Sequence, residues 1–200
     1  MRLLVATTNQ DKLREIRSLL AGVDVELITL RDLPAIAEPE ETGQTFQDNA
    51  RLKARYYAAA AGLMTIAEDS GLVIDALDGE PGVRSARFLR PDAPYAERFS
   101  VILRRLADHP ARGRAARFLC AVAVVEGDRI LFETVGRIEG EIADAPRGDR
   151  GFGYDPIFFY PPYGTTLAAV SEDAKLEVAH RGQAFRAVAA WLQQRADAPK

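Results

Sequence analysis

Apolar residues follow two rhythms along this chain: short unbroken runs, and longer stretches in which they recur every three or four positions. Leu3 to Ala6 is the first run and predicts a buried strand, after which Leu13, Ile16, Leu19 and Leu20 fall at helical spacing. The polar segment Thr7 to Lys12 therefore reads as a strand-to-helix turn. Val25 to Leu30 predicts a second strand, followed by a loop holding Pro34, Pro39, Glu40 and Glu41. Thr45 and Asp48 have the spacing of a capping box, with Asp in the usual Glu place. Phe46, Ala50, Ala54, Tyr57 and Ala61 share one face of the helix that follows. After Gly62, the run Leu63 to Ala67 predicts a strand that ends in Glu68-Asp69, with Leu72 to Ile74 extended beyond it and turns at Asp78-Gly79 and Pro81-Gly82.

Phe99, Ile102, Leu103 and Leu106 predict an amphipathic helix that stops near His109-Pro110. A hairpin follows, with strands Ala116 to Val125 and Ile130 to Val135 around Glu126-Gly127-Asp128. Phe185, Val188, Ala189 and Leu192 define a closing helix with His180 and Arg181 at its start, and a polar tail expected to fray from Arg195. The alternation of strands and helices points to an α/β class, with a mixed, partly antiparallel sheet flanked by helices. No repeat or linker interrupts the 200 residues, so one domain spanning 1–200 is expected.

Composition narrows the function. With 48% hydrophobic residues the chain is not a disordered one, and a formal charge of -3 provides no basic field for long nucleic acid. Any nucleotide ligand is expected to be small. The single cysteine, Cys120, lies in an apolar run and reads as a buried structural thiol of a reducing compartment. The apolar stretch before Thr7 is too short for a signal peptide and no segment reads as membrane-spanning, so a cytoplasmic protein is expected.

Four unusual segments carry the chemistry. At the start of the first helix, backbone N–H groups with Thr7, Thr8, Asn9, Gln10, Asp11 and Lys12 have the makings of a phosphate cradle, although the Gly-Lys-Ser/Thr ending of a P-loop is missing. Glu40, Glu41, Glu68 and Asp69 are hard oxygen ligands suited to Mg2+ or Mn2+, and a spare carboxylate beside such a cation would activate water. In Gly151-Phe152-Gly153-Tyr154-Asp155-Pro156, the glycines permit a tight loop and Tyr154 offers a stacking face with a polar tip. Lys175 and His180-Arg181 complete the set. Arg181 has the fork geometry to donate two parallel hydrogen bonds to the O6 and N7 edge of a purine, which would reject adenine.

These segments resemble, in order and spacing, a known family. Ala6-Thr7-Thr8-Asn9 with Lys12, Glu40-Glu41-Thr42-Gly43, Thr45-Phe46, Asn49-Ala50 and Lys53-Ala54 match it in the first part of the chain. Asp69-Ser70-Gly71-Leu72, Pro81-Gly82 with Ser85-Ala86-Arg87, Ala116-Arg117-Phe118, Gly151 to Phe158, Lys175 and His180-Arg181-Gly182 continue the match nearly to the end. The chain thus resembles the inosine triphosphate pyrophosphatases, also called dITP/XTP pyrophosphatases, which clear deaminated purine nucleotides.

The resemblance implies an elongated fold of two lobes with a central cleft, a homodimer, and Mg2+-dependent hydrolysis of a nucleoside triphosphate to the monophosphate and pyrophosphate. It also implies that Thr7 to Lys12 hold the triphosphate and that Asp69 is the general base, with Lys12 and Glu68 beside it in the catalytic group. Glu40, Glu41 and Asp69 would hold the metal. Ser70, Phe152, Gly153, Tyr154, Asp155, Lys175, His180 and Arg181 would surround the nucleotide. Glu68 stands where the family often has Asp, and Ala179 where it often has Ser. The alternatives are a pyrophosphatase for other modified nucleotides and a nucleotide-binding regulator without catalysis.

Overall fold

The computed structural model describes residues 1–197. They form seven strands: β1 (Arg2–Val5), β2 (Glu26–Thr29), β3 (Thr65–Ile74), β4 (Ala115–Glu126), β5 (Arg129–Ile142), β6 (Phe158–Tyr160) and β7 (Thr165–Thr166). The α-helices are α1 (Gln10–Leu19), α2 (Phe46–Ala61), α3 (Tyr95–Ala107), α4 (Glu172–Val178) and α5 (His180–Asp197). The strands make one sheet in the order β2-β1-β3-β4-β5-β6-β7. β1 runs parallel to both β2 and β3, whereas β6 is antiparallel to β5 and β7, which is the mixed α/β sheet the pattern predicts. None of the described helices is long and apolar enough to cross a membrane.

Contacts divide the chain into two compact units. The first takes Met1–Asp69, Cys120–Gly136 and the chain from His180 onward; the second takes Ser70–Leu119 and Arg137–Ala179. In the first unit, the core joins Leu3 and Val5 of β1, Leu13 and Ile16 of α1, Ile66 of β3, Val122 and Val124 of β4, and Phe185, Val188 and Leu192 of α5. Both helical stripes are those expected from the three-and-four spacing, and α1 and α5 lie against each other. The second unit has its own core, built from Leu72 and Ile74 of β3, Phe99, Ile102 and Leu106 of α3, Phe118 of β4, Ile138 and Ile142 of β5, and Phe158 of β6.

Several boundaries differ from the sequence expectation. β3 does not end at Glu68-Asp69; it is a ten-residue strand with the two acids in its middle, and the Ser70-Gly71 pair continues it. Gly71 is there because a Cβ would stand 2.2 Å from Ser85 Oγ, the hydroxyl that accepts from Leu72 N–H. β5 continues to Ile142, well past the expected end near Val135, with Ile138 and Ile142 buried among exposed neighbours. Gly136, just past that expected end, marks a close approach, since a Cβ there would meet the His180 carbonyl oxygen at 1.9 Å.

Helix α4 is too short to leave a periodic signature and has Ser171 as its N-cap, accepting from Ala174 N–H. In the polar tail expected to fray, α5 continues to Asp197 and Arg195 pairs with Glu126 at 3.3 Å. The rest of that tail lies outside the described residues.

Candidate active site

The first unit gathers charge around the middle of β3. Successive strand residues face opposite sides, so the adjacent acids Glu68 and Asp69 enter two separate environments. Both are buried, at 4% and 6% exposure, and an acid so placed requires a partner. Glu68 Oε1 accepts from Arg181 Nε at 3.2 Å and Nη2 at 3.0 Å and lies 3.2 Å from Lys12 Nζ. Its Oε2 accepts from the Cys120 thiol at 3.4 Å. Arg181 also donates through Nη1 to Glu15 Oε2 at 2.7 Å, so α1, β3 and α5 are joined by a buried Glu15–Arg181–Glu68 array. Burial opposes the charge on Arg181, but Glu68 and Glu15 outweigh it and raise its pKa. For Cys120, burial and then Glu68 push the thiol pKa up, which makes it a neutral donor.

Asp69 faces helix α2. Its Oδ2 accepts from Asn49 Nδ2 at 3.1 Å, and its Oδ1 from Lys53 Nζ at 3.0 Å. The same ammonium donates to Glu41 Oε1 at 2.6 Å. Asn49 and Lys53 are one helical turn apart, so both reach Asp69 from one face of α2. Asn49 Oδ1 in turn accepts from Gly43 N–H at 2.8 Å and fixes the loop that carries Glu41. Burial raises the Asp69 pKa; Lys53 opposes the rise and Glu41 adds to it. Burial likewise opposes the charge on Lys53, yet Asp69 and Glu41 prevail and its pKa is raised.

The expected metal ligands are only partly brought together. Glu41 and Asp69 converge on one cation, the Lys53 ammonium, whereas Glu40 is exposed and makes no ion pair among the described residues. No cluster of three or more His, Cys, Asp or Glu side chains is gathered as a ready cage among the described residues. The two converging carboxylates nevertheless fit a hard divalent cation, which takes few protein oxygens and keeps its waters.

The Thr7 to Lys12 turn forms as expected, but its donors are arranged differently. Asn9 is the N-cap of α1, and its Oδ1 accepts from Asp11 N–H and Lys12 N–H at 2.9 and 3.1 Å. Those helix N–H groups are therefore already satisfied and are not free to cradle a phosphate. Asp11 pairs with Arg14 at 2.8 Å. Gln10 donates to Thr8 O, and Thr7 Oγ1 accepts from Asn9 N–H, so what the turn presents outward is an exposed polar surface from Thr8 to Gln10 with Lys12 beside it.

The second unit contains the Gly151 to Pro156 loop. Gly151 and Gly153 have φ of +70° and +66°. A Cβ on Gly151 would stand 2.2 Å from Asp155 Oδ2, the oxygen that accepts from Phe152 N–H at 2.9 Å and from Lys175 Nζ at 2.6 Å. Asp155 and Lys175 are both about 4% exposed, and Lys175 Nζ lies 4.7 Å from the centroid of the half-buried Phe152 ring. Tyr154 corrects the expectation. It is 3% exposed, packs edge-on against Tyr95, and donates to Ser85 O at 2.9 Å, so its ring is not available for stacking on a ligand.

Ser85 O is shared with Arg98, a buried side chain that donates to the backbone carbonyls of Ser85, Ala86, Arg90, Pro91 and Ala93. Ser70 is half-buried in β3, and His180 is buried at the start of α5. Arg181 is a second correction. Its side chain is 2% exposed and its fork grips two carboxylates, so it is not presented to a purine edge.

Comparison with known proteins places this geometry. The Ham1 family model matches residues 3–191. The chain belongs to the Ham1 family. Among its Ham1 relatives, proteins named dITP/XTP pyrophosphatase from Geobacter sulfurreducens and Symbiobacterium thermophilum are 45% and 48% identical over 186 residues. The matched segments cover 92% of this chain in both cases, and 92% and 91% of those proteins. A solved Ham1 structure from Coxiella burnetii superimposes with a TM-score of 0.89 at 38% identity, covering 97% of this chain and 99% of that one.

Asn49, Lys53 and Glu15 belong to this arrangement, yet hydrophobic patterning assigns them no role. Asn49 left a signal: it is a polar residue on the apolar stripe of α2, and it is fully buried. Lys53 stands four positions later on the same face. Glu15 left less, being one acid among the charges of α1.

Proposed function

We propose that this chain hydrolyses deaminated purine nucleoside triphosphates, the dITP, XTP and ITP class, to the monophosphate and pyrophosphate. What supports this reading is the buried Asp69, with its raised pKa and its Asn49 and Lys53 partners, in a Ham1 chain about as long as its dITP/XTP pyrophosphatase relatives. Asp69 takes a proton from the attacking water, the water oxygen bonds to the α-phosphorus, and the bond from that phosphorus to the bridging oxygen of the β-phosphate breaks. Asn49 holds one Asp69 oxygen in place and leaves the carboxylate a defined direction for the proton.

Thr7 to Gln10 and Lys12 hold the triphosphate through side-chain and exposed backbone groups. Glu41 and Asp69 would hold Mg2+ or Mn2+, which when bound supplies charge stabilisation to the phosphate oxygens. Phe152 takes the stacking role, with Lys175 and Asp155 fixing its position, and Ser70 and His180 complete the nucleotide-binding set. Arg181 and Tyr154 act as positioning residues, the first through Glu68 and the second through the Gly151 loop. Homodimerisation and a cytoplasmic location complete this reading.

The test is to measure pyrophosphate and phosphate separately with ITP, XTP, dITP, GTP and ATP in the presence of Mg2+. Pyrophosphate from the deaminated purines, with little from GTP and ATP, is the expected result; release of phosphate alone would overturn the reading. The pH dependence follows from the direction of the Asp69 shift. The base works deprotonated, so kcat/KM rises with pH through a pKa above the ordinary aspartate value of 3.8. An acid limb at or below that value would exclude Asp69 as the group that titrates.

A further inference from the structure

The Lys53 ammonium sits between the very oxygens that a divalent cation would take. It donates to Glu41 Oε1 at 2.6 Å and to Asp69 Oδ1 at 3.0 Å, and its side chain is only 14% exposed. The three side chains retain one net negative charge. A free divalent cation entering there would meet a resident ammonium held at short range, and two positive centres would then share two carboxylates in a poorly solvated place. A cation already chelated by a triphosphate arrives differently. It brings an excess of negative charge, and the ammonium displaced from the carboxylates finds new acceptors in the phosphate oxygens. The long, flexible stem of lysine lets it swing between these partners, while Asn49 keeps Asp69 in place through its other oxygen.

We propose that Lys53 is a built-in competitor for divalent cations, so that the metal enters with the nucleotide and not ahead of it. The inference rests on the reading of Glu41 and Asp69 as the cation's ligands. It makes Lys53 a positioning residue with two successive sets of partners, and it assigns the order of binding to one side chain.

The test uses Mn2+ alone, without nucleotide, followed by its electron paramagnetic resonance signal in titrations of the full-length protein. Wild type is expected to bind Mn2+ weakly. Lys53→Met is expected to bind it at least tenfold more tightly, and Lys53→Arg, which keeps the charge, should behave as wild type. Adding a non-hydrolysable nucleoside triphosphate should strengthen Mn2+ binding by wild type at least tenfold. Equal or weaker Mn2+ binding by Lys53→Met would overturn the proposal. So would an affinity in Lys53→Met that is unchanged by a further Glu41→Gln substitution, because the acids would then not be the ligands. Circular dichroism checks that each variant is folded, and Lys53→Gln serves as a second neutral variant if Lys53→Met is not. Absence of pyrophosphate release by wild type would count against the proposed function and leave the Mn2+ result standing.

Discussion

Asp69→Asn should lower kcat by about 10³-fold while nucleotide binding persists, the loss expected when a positioned general base is removed. Asn keeps the shape and one of the two acceptor oxygens that meet Asn49 and Lys53, but it cannot take a proton from water. The same substitution should leave Tm unchanged or raise it at neutral pH. The folded state raises the pKa of Asp69, so the stability this group contributes is fully present below its unfolded pKa and is lost as pH rises through the folded value. The ionised carboxylate is therefore disfavoured in the fold relative to the unfolded chain, and a neutral isostere relieves that cost. Single-turnover kinetics, nucleotide binding by calorimetry and a thermal scan on one preparation check all three. Near-wild-type turnover would remove Asp69 from the base role, and a fall in Tm would show that the lost activity reflects lost structure.

The second large effect is on stability. Arg181→Met should cost about 3–5 kcal/mol, because it leaves Glu15 and Glu68 buried with their main cation gone. For a chain of this size that is a fall in Tm on the order of 10 °C. Adding Glu15→Gln to Arg181→Met should recover part of the loss, since one of the stranded charges is then neutralised. Thermal denaturation of the two single variants and the double variant measures the coupling. If Arg181 instead served chiefly to read a base, Arg181→Met would keep its Tm and lose only substrate discrimination, and Glu15→Gln would add nothing.

The contrast between these two residues shows what the sequence could and could not convey. The type of residue at each position was legible: the strand carrying paired acids, the turn from Thr7 to Lys12, and the cations at the start of α5 all stand where spacing puts them. So was the sheet class, because helical stripes such as Leu13, Ile16 and Leu20 depend on neighbours only a few positions apart. Pairing was not legible. Arg181 and Glu68 are 113 positions apart, and nothing local says that this guanidinium closes on carboxylates instead of opening toward a ligand.

Tyr154 failed as a stacking face for a similar reason. Its hydroxyl finds the carbonyl of Ser85, 69 positions away, and that bond turns the ring inward. The apolar run Leu63 to Ala67 stops at the acids, which is why β3 is expected to end there, yet the strand continues through the charges. It does so here because Lys12, Lys53 and Arg181 arrive from three helices to meet them. Glu40 and Glu41 were indistinguishable as neighbours in one loop, and only the reach of Lys53 separates them.

The position of Cys120 has a practical consequence. It is the one thiol in the chain, fully buried, neutral, and hydrogen-bonded to Glu68. A thiol reagent can reach it only when β4 and the acid array come apart, so the rate of labelling under native conditions is a clock for the openings, local or global, that expose this region. Slower labelling in the presence of nucleotide would time, from inside the protein, how firmly a bound substrate holds the carboxylates together.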